Sequence, residues 1–219
     1  MLALACALGV WQLQRLAWKT ALLADIDRAE SGRAIPLAQD PPAFAKIRVE
    51  GEFLPGAYAL YGADVADTPG PPPMGGPRMG ARMIVALRRA GNEVPVLVDR
   101  GWVPAERAGD IAAPAGPVSV DAYVRRADRP GLFAPADDPA RHRFFTLDPA
   151  AIGPSLGLAR VAPFVLVALG PRLPGVYPQP AQELPRPAND HLSYAITWFV
   201  LALTLAIIFT IYCRKVLRP

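Results

Sequence analysis

The apolar positions of this chain gather at its two ends, and the segment between them alternates. Tyr194 to Tyr212 reads YAITWFVLALTLAIIFTIY, with no charged residue. At ~1.5 Å per helical residue this run covers about 28 Å, close to the thickness of a bilayer's hydrocarbon core. It predicts a transmembrane helix over 191–213, with Tyr194 and Trp198 at one boundary and Tyr212 at the other as interfacial aromatics. Met1 to Trp11 (MLALACALGVW) is also apolar, but polar residues begin at Gln12. That run covers only about 16 Å, half a bilayer. No Lys or Arg precedes it and Gln12-Leu13-Gln14-Arg15 follows it, which does not fit a signal peptide. It is expected to be the C-terminal half of a first membrane helix, a partial span over 1–18. Leu13, Leu16, Ala17, Ala21, Leu23 and Ile26 keep a helical rhythm beyond it. A helical extension over 19–33 follows, with Gly32 as a C-cap.

Between the ends the period changes to two. Lys46 to Phe53 alternates, with Ile47, Val49 and Phe53 on one face. Met83–Leu87 and Val94–Val98 flank Arg88-Arg89-Ala90-Gly91-Asn92, the pattern of a hairpin. Val118, Val120, Ala122 and Val124 alternate with Ser119, Asp121 and Tyr123, and Phe164 to Leu169 forms a further apolar run. Asp148-Pro149 reads as an N-cap with proline at the first helical position, opening a short helix through Ala151 and Ile152. Pro69 to Gly80 is a loop by composition. The stretch 171–190 carries prolines at 171, 174, 178, 180, 185 and 187, and reads as an extended linker. The expected architecture is two transmembrane helices flanking a mostly β (α+β) extramembrane domain over 34–170, a small antiparallel barrel or sandwich.

Charge refines this picture. The net charge is +4, but the segment from Ala21 to Asp190 is close to neutral. The excess comes from Arg15, Lys19, Arg214, Lys215 and Arg218, which flank the apolar runs. That placement suits the lipid bilayer and no nucleic acid. The basic tail over 214–219 predicts a cytoplasmic C-terminus. Two spans then leave both termini cytoplasmic and the long middle segment outside. The two cysteines, Cys6 and Cys213, fall in the apolar ends, so the middle domain has no disulfide to form.

Most enzyme signatures fail: H-E-x-x-H, the Walker loop, C-x-x-C and C-x-x-C-H are all missing from the sequence. The expectation is a non-enzyme with no catalytic residues; a tethered enzyme is the weaker class. Two histidines cannot build a three-histidine zinc site, and His142, in Arg141-His142-Arg143, is assigned no chemistry. His191 differs. On a helix it shares a stripe with Tyr194, Ala195 and Trp198 at the outer membrane boundary. An imidazole over an aromatic wall suits an axial ligand for haem iron. Trp11, Arg15 and Trp18 share a face of the first helix, where a cation suits a propionate. The alternative is that Trp and Arg are interfacial anchors and His191 a polar residue at a helix start.

Four blocks of sequence resemble the surfeit locus protein 1 family. They are Leu8-Gly9-Val10-Trp11-Gln12-Leu13-Gln14-Arg15 with Trp18-Lys19, and Arg48-Val49-Glu50-Gly51-Glu52-Phe53 with Tyr58. The others are Val96-Leu97-Val98-Asp99-Arg100-Gly101-Trp102-Val103-Pro104 and Asn189-Asp190-His191-Leu192-Ser193-Tyr194-Ala195-Ile196-Thr197-Trp198-Phe199. Asp99 stands where the family pattern has asparagine, and its carboxylate is expected beside Arg100. The resemblance implies an assembly factor for haem–copper cytochrome c oxidase, in a bacterial inner membrane with its domain in the periplasm. It implies transient binding of haem a, with His191 as the metal ligand and Tyr194, Trp198, Arg15 and Trp11 around it. Its expected partners are the oxidase catalytic subunit and a haem a synthesis enzyme. The competing expectation is a scaffold that stabilises oxidase assembly intermediates without binding haem.

Overall fold

The computed structural model of the chain describes residues 1–68, 76–91, 94–131 and 134–216. They form two compact units: Met1–Arg28 with Pro185–Pro219, and Ala29–Leu184.

The first unit is helical. It holds most of α1 (Leu2–Ser31) and all of α3 (His191–Val216). Leucine and alanine dominate α1, leucine and isoleucine are the commonest residues of α3, and neither helix has an interior proline. The predicted partial span and its extension are therefore one continuous helix. Among the described residues α3 is the single helix long and apolar enough to cross a membrane, with a mean hydropathy of 2.3 over its most apolar window. A second span in α1 is not established: Gln12, Gln14, Arg15 and Lys19 interrupt its apolar run within the first five turns.

The second unit is a β-barrel. Its strands are β1 (Ile35–Pro36), β2 (Lys46–Phe53), β3 (Ala59–Thr68), β4 (Gly76–Arg88), β5 (Val96–Pro104), β6 (Pro117–Arg126), β7 (Arg143–Phe144) and β8 (Phe164–Ala168), with a short helix α2 (Pro149–Ser155) before β8. Neighbours follow the order β1-β2-β6-β8-β5-β4-β3-β7, and β2 also pairs with β4. That last pairing closes β2, β6, β8, β5 and β4 into a five-stranded barrel. The ladders are antiparallel except β1–β2, β3–β7 and β5–β8.

Alternation along each strand separates two apolar faces. Ile47, Val49, Leu87, Val96, Val98, Val124, Phe164 and Leu166 fill one end of the interior. Met83, Val85 and Val103 fill the other, beneath the 3-10 turn at Ala105–Asp110. On the outer face Ile84, Ala86, Leu97 and Val165 pack against Phe144, Leu147 and Ile152. Tyr123, an outward position of β6, is also buried, beside Arg82, Asp99 and Arg125.

Closure depends on Gly51. It lies in the inward row of β2 beside the β2–β4 pairs Glu52↔Arg88 and Phe53↔Leu87. A Cβ there would collide with the Arg88 carbonyl oxygen and sit 3.1 Å from the Leu87 side chain.

The predicted hairpin is β4–β5, in the register Leu87↔Val96 and Ala86↔Leu97; Asn92 lies outside the described residues. Of the loop expected over Pro69–Gly80, residues 69–75 lie outside them too. Gly76–Gly80 is the start of β4, paired with β3 from Thr68 to Asp64. Cross-strand pairing there overrides the glycine and proline content. Strand β3 itself carries little alternation, because Gly62 (φ +74°) and a register shift between Tyr61 and Asp64 interrupt it. The short helix forms as its cap predicts, with Asp148 Oδ1 accepting from the Ala150 N–H at 2.9 Å. The proline-rich stretch is packed rather than free up to Leu184. Gln179 bridges Trp102, Ala181 bridges Leu169, and Leu184 is buried.

Candidate functional site

The helical unit brings His191 against α1. Ala5, Gly9 and Gln12, spaced i, i+4, i+7, are buried on α1, and Ala195 and Ala202 are buried on α3. The small residues among them, Ala5, Gly9, Ala195 and Ala202, let the two antiparallel helices approach closely. At the seam the Gly9 Cα lies against the Phe199 ring, so that a Cβ would stand 2.8 Å from it. Farther along, the Asn189 amide donates to Thr20 Oγ1 at 3.4 Å and Arg186 pairs with Asp27 at 3.1 Å.

His191 Nδ1 lies 2.7 Å from Gln12 Oε1. Placing the amide oxygen toward the ring assigns the proton to Nδ1, which donates to Gln12, and leaves the Nε2 lone pair available. Gln12 is buried, at 9% exposure. Holding one imidazole nitrogen fixes the ring and its tautomer, as partners of metal-ligating histidines do.

The other sequence-predicted residues flank this seam. Helical positions advance by about 100° each, so Trp11, Arg15 and Trp18 fall to one side of Gln12, and Tyr194 and Trp198 to one side of Ala195. Because the helices are antiparallel, those two sides coincide. Gly9, Phe199, Thr20 and Asn189 lie on the opposite side by the same count, in agreement with their contacts. Trp11 and Tyr194 are about half exposed, at 48% and 57%, and Trp198 is half-buried. The Arg15 guanidinium stacks over Trp18, 4.5 Å from the ring centroid. The unit thus presents an imidazole in a seam, three tryptophans and a tyrosine beside it, and one arginine on the same side. Imidazole, aromatic walls and a cation match what a haem with propionates requires of a protein. Sequence reasoning missed Gln12 and the seam; the Ala5-Gly9-Gln12 spacing was the available signal.

Within α3, Thr197, Thr204 and Thr210 each donate to the carbonyl four residues back, at 2.7–2.9 Å. These bonds satisfy the three threonine hydroxyls on an apolar helix.

The barrel holds a second polar constellation. The expected pairing of Asp99 with Arg100 does not occur, because adjacent strand residues point to opposite faces. Asp99 is fully buried and accepts from Arg82 Nε and from the Gly101 N–H, the latter at 3.0 Å. Arg100 faces the other way: it stacks on Phe53 and donates to the Ala112 carbonyl at 3.2 Å. Burial raises the Asp99 carboxyl above its ordinary range, against the opposing pull of Arg82 and Gly101. Next to the pair, Arg125 donates to the Tyr61 hydroxyl at 2.9 Å and to Asp128 at 2.8 Å. Burial raises the Tyr61 and Tyr123 hydroxyls. Positive and negative groups balance here, so the cluster is a structural network. Among the described residues no group of three His, Cys, Asp or Glu side chains is arranged to hold a metal ion.

Comparison with known proteins bears on both units. The chain is 29% identical over 217 residues to the SURF1-like protein of Rickettsia conorii, covering 95% of this chain and 86% of that protein. It is 27% identical over 236 residues to Surfeit locus protein 1 of Xenopus tropicalis, covering 97% and 72%. The mouse protein of that name is 26% identical over 214 residues, covering 90% and 68%. The sequence pattern that defines the SURF1 family matches residues 1–203, a stretch that includes the barrel, α1 and His191, and the chain belongs to that family.

Proposed function

We propose that this protein is a membrane-anchored assembly factor for haem–copper cytochrome c oxidase. In this reading it binds haem a transiently through His191 and assists its delivery to the oxidase catalytic subunit. The observation that carries the reading is the 2.7 Å contact between His191 Nδ1 and Gln12 Oε1, which orients the imidazole and leaves Nε2 available for iron. Haem a, when bound, supplies an iron that accepts an imidazole nitrogen and two propionates that accept hydrogen bonds. Gln12 holds the proton on Nδ1 and fixes the ring plane. Trp11, Tyr194 and Trp198 offer apolar faces to a macrocycle. Arg15 is placed to donate to a carboxylate. None of these residues moves a proton to a substrate or forms a covalent bond, so the proposed role is to hold and release.

The proposed setting is the bacterial inner membrane, with α3 spanning it and α1 entering beside it. Arg214 and Lys215 close α3, which supports a cytoplasmic C-terminus. The barrel then stands in the periplasm and both termini in the cytoplasm. Protease added to spheroplasts should cleave the barrel domain.

The test is co-expression with the haem a synthesis enzymes, followed by an absorption spectrum of the purified protein. Wild type should carry haem a. His191→Ala should lose it while remaining folded and in the membrane, because His191 lies at the start of α3 and its loss removes no membrane-spanning apolar surface. A full haem a spectrum in His191→Ala would defeat the haem reading and leave a scaffold for oxidase assembly intermediates.

A further inference from the structure

The barrel domain carries a cleft of about 430 Å³ that shares no residue with the α1–α3 seam. It opens at the end of the barrel where Leu37 packs on the interior core. Leu37, Pro163 and Phe164 give it an apolar wall, and Gln39, Arg89 and Arg160 supply its polar groups. None of its described lining residues is acidic.

The two arginines differ from those in the domain that pair with carboxylates. Arg48, Arg78, Arg82, Arg88, Arg125 and Arg126 each pair with a carboxylate. Arg89 and Arg160 pair with none among the described residues. The Arg89 Nε is buried and has no hydrogen-bond partner among the described residues. Its Nη1 donates to the Leu37 carbonyl, at 3.4 Å. A buried Nε–H without an acceptor is costly until one arrives. A second guanidinium lines the same cleft, so the missing acceptor is an anion. The apolar wall requires that this anion carry an apolar body. The cavity lies within the range of small-ligand pockets, about 300–1,000 Å³.

We propose that this cleft binds an amphipathic anion: a single alkyl or acyl chain ending in a carboxylate or a phosphate. Arg89 and Arg160 hold the head group, Gln39 adds an amide donor, and the chain lies along Leu37, Pro163 and Phe164. The site is independent of haem and of α3, so the outcome of either test leaves the other standing.

The experiment is equilibrium dialysis of the full-length protein in nanodiscs of zwitterionic lipid, with empty nanodiscs subtracted. The probes are octanoate, octyl phosphate, octanol and inorganic phosphate. Octanoate or octyl phosphate should bind saturably and at least about tenfold more tightly than octanol, the advantage of charge-assisted over neutral hydrogen bonds. Whichever of the two binds more tightly identifies the head group. Arg89→Gln and Arg160→Gln should each weaken that binding about tenfold with unchanged thermal melts. Arg160 is exposed, so Arg160→Glu supplies a folded variant if Arg89→Gln is unstable, and it should abolish binding. The proposal is overturned if neither anion binds, if octanol binds equally well, or if inorganic phosphate alone matches the octyl anions. It is also overturned if Arg160→Glu binds as wild type does.

Discussion

Replacing Asp99 with leucine should be among the most damaging single changes in the barrel. Asp99 is fully buried and Arg82 is 19% exposed at its side chain. Asp99→Leu strands that guanidinium, whose Nη2 is already buried without a partner, and removes the acceptor of the Gly101 N–H. Breaking one side of a buried pair costs about 3–5 kcal/mol, because the remaining charge is left uncompensated. Asp99→Asn should cost less, about 2 kcal/mol, since one oxygen remains for one of the two donors. Arg82→Met leaves the buried carboxylate without its ion-pair partner, and its raised pKa should climb further. A carboxyl whose folded pKa exceeds its unfolded value adds stability below the unfolded pKa and loses it as pH rises through the folded one. Arg82→Met should therefore be more stable at pH 5 than at pH 8, whereas Asp99→Leu should not show that slope. The double variant Arg82→Met/Asp99→Leu should recover about 2 kcal/mol relative to the sum of the singles, since neither charge is then left alone. Urea unfolding followed by fluorescence of Trp102, which is buried at 4% exposure, reads all four. The reasoning is refuted if Asp99→Leu unfolds within about 1 kcal/mol of wild type, or if the double variant is only additive.

Other expectations are independent of that pair. Gly51→Glu should destabilise the barrel by about 3 kcal/mol, because its Cβ meets the Arg88 carbonyl where β2 joins β4; a thermal melt equal to wild type would remove that account. Asp121 is held below the ordinary carboxylate range mainly by its hydrogen bond from Arg48. Its stabilising effect should be present above the unfolded pKa of about 3.9 and disappear as pH falls through the folded value. Asp121→Asn should therefore flatten the acid limb of a plot of melting temperature against pH. In the haem a assay Tyr194→Phe and Trp198→Phe should bind nearly as wild type, since both keep an aromatic face. Arg15→Ala should lie between them and His191→Ala, with a loss of about 1.5–3 kcal/mol if a charge-assisted bond to a propionate is removed.

How much of this was legible depended on the kind of signal. Strands with one face in the barrel, such as Lys46–Phe53, announce themselves by alternation, and α3 by its length of uncharged sequence. Strand β3 did not, because Gly62 and a bulge break its period and Asp64 and Asp67 dilute its apolar content. The start of β4 was hidden under glycine and proline, whose turn preference yields to a ladder partner already in place. His191 was legible as a candidate because few residue types ligate iron. Gln12 was not, since an amide where polar residues begin looks like the edge of an apolar run. Asp99 was assigned the wrong neighbour: adjacency in sequence is separation in a strand, and Arg82 reaches it only through the β4–β5 ladder.

The insertion of β8 between β5 and β6 has a consequence for synthesis. Residues 164–168 pair with Leu97–Asp99 on one side and with Ala122–Arg126 on the other. Until they leave the ribosome, the Val96–Val98 and Ala122–Val124 segments are apolar strand edges with no neighbour between them. A chain ending before Phe164 would keep both edges open permanently, and open apolar edges recruit other chains. Truncations upstream of Phe164 therefore yield aggregation-prone products rather than smaller domains, so the last few strand residues decide whether the preceding 160 or so remain soluble.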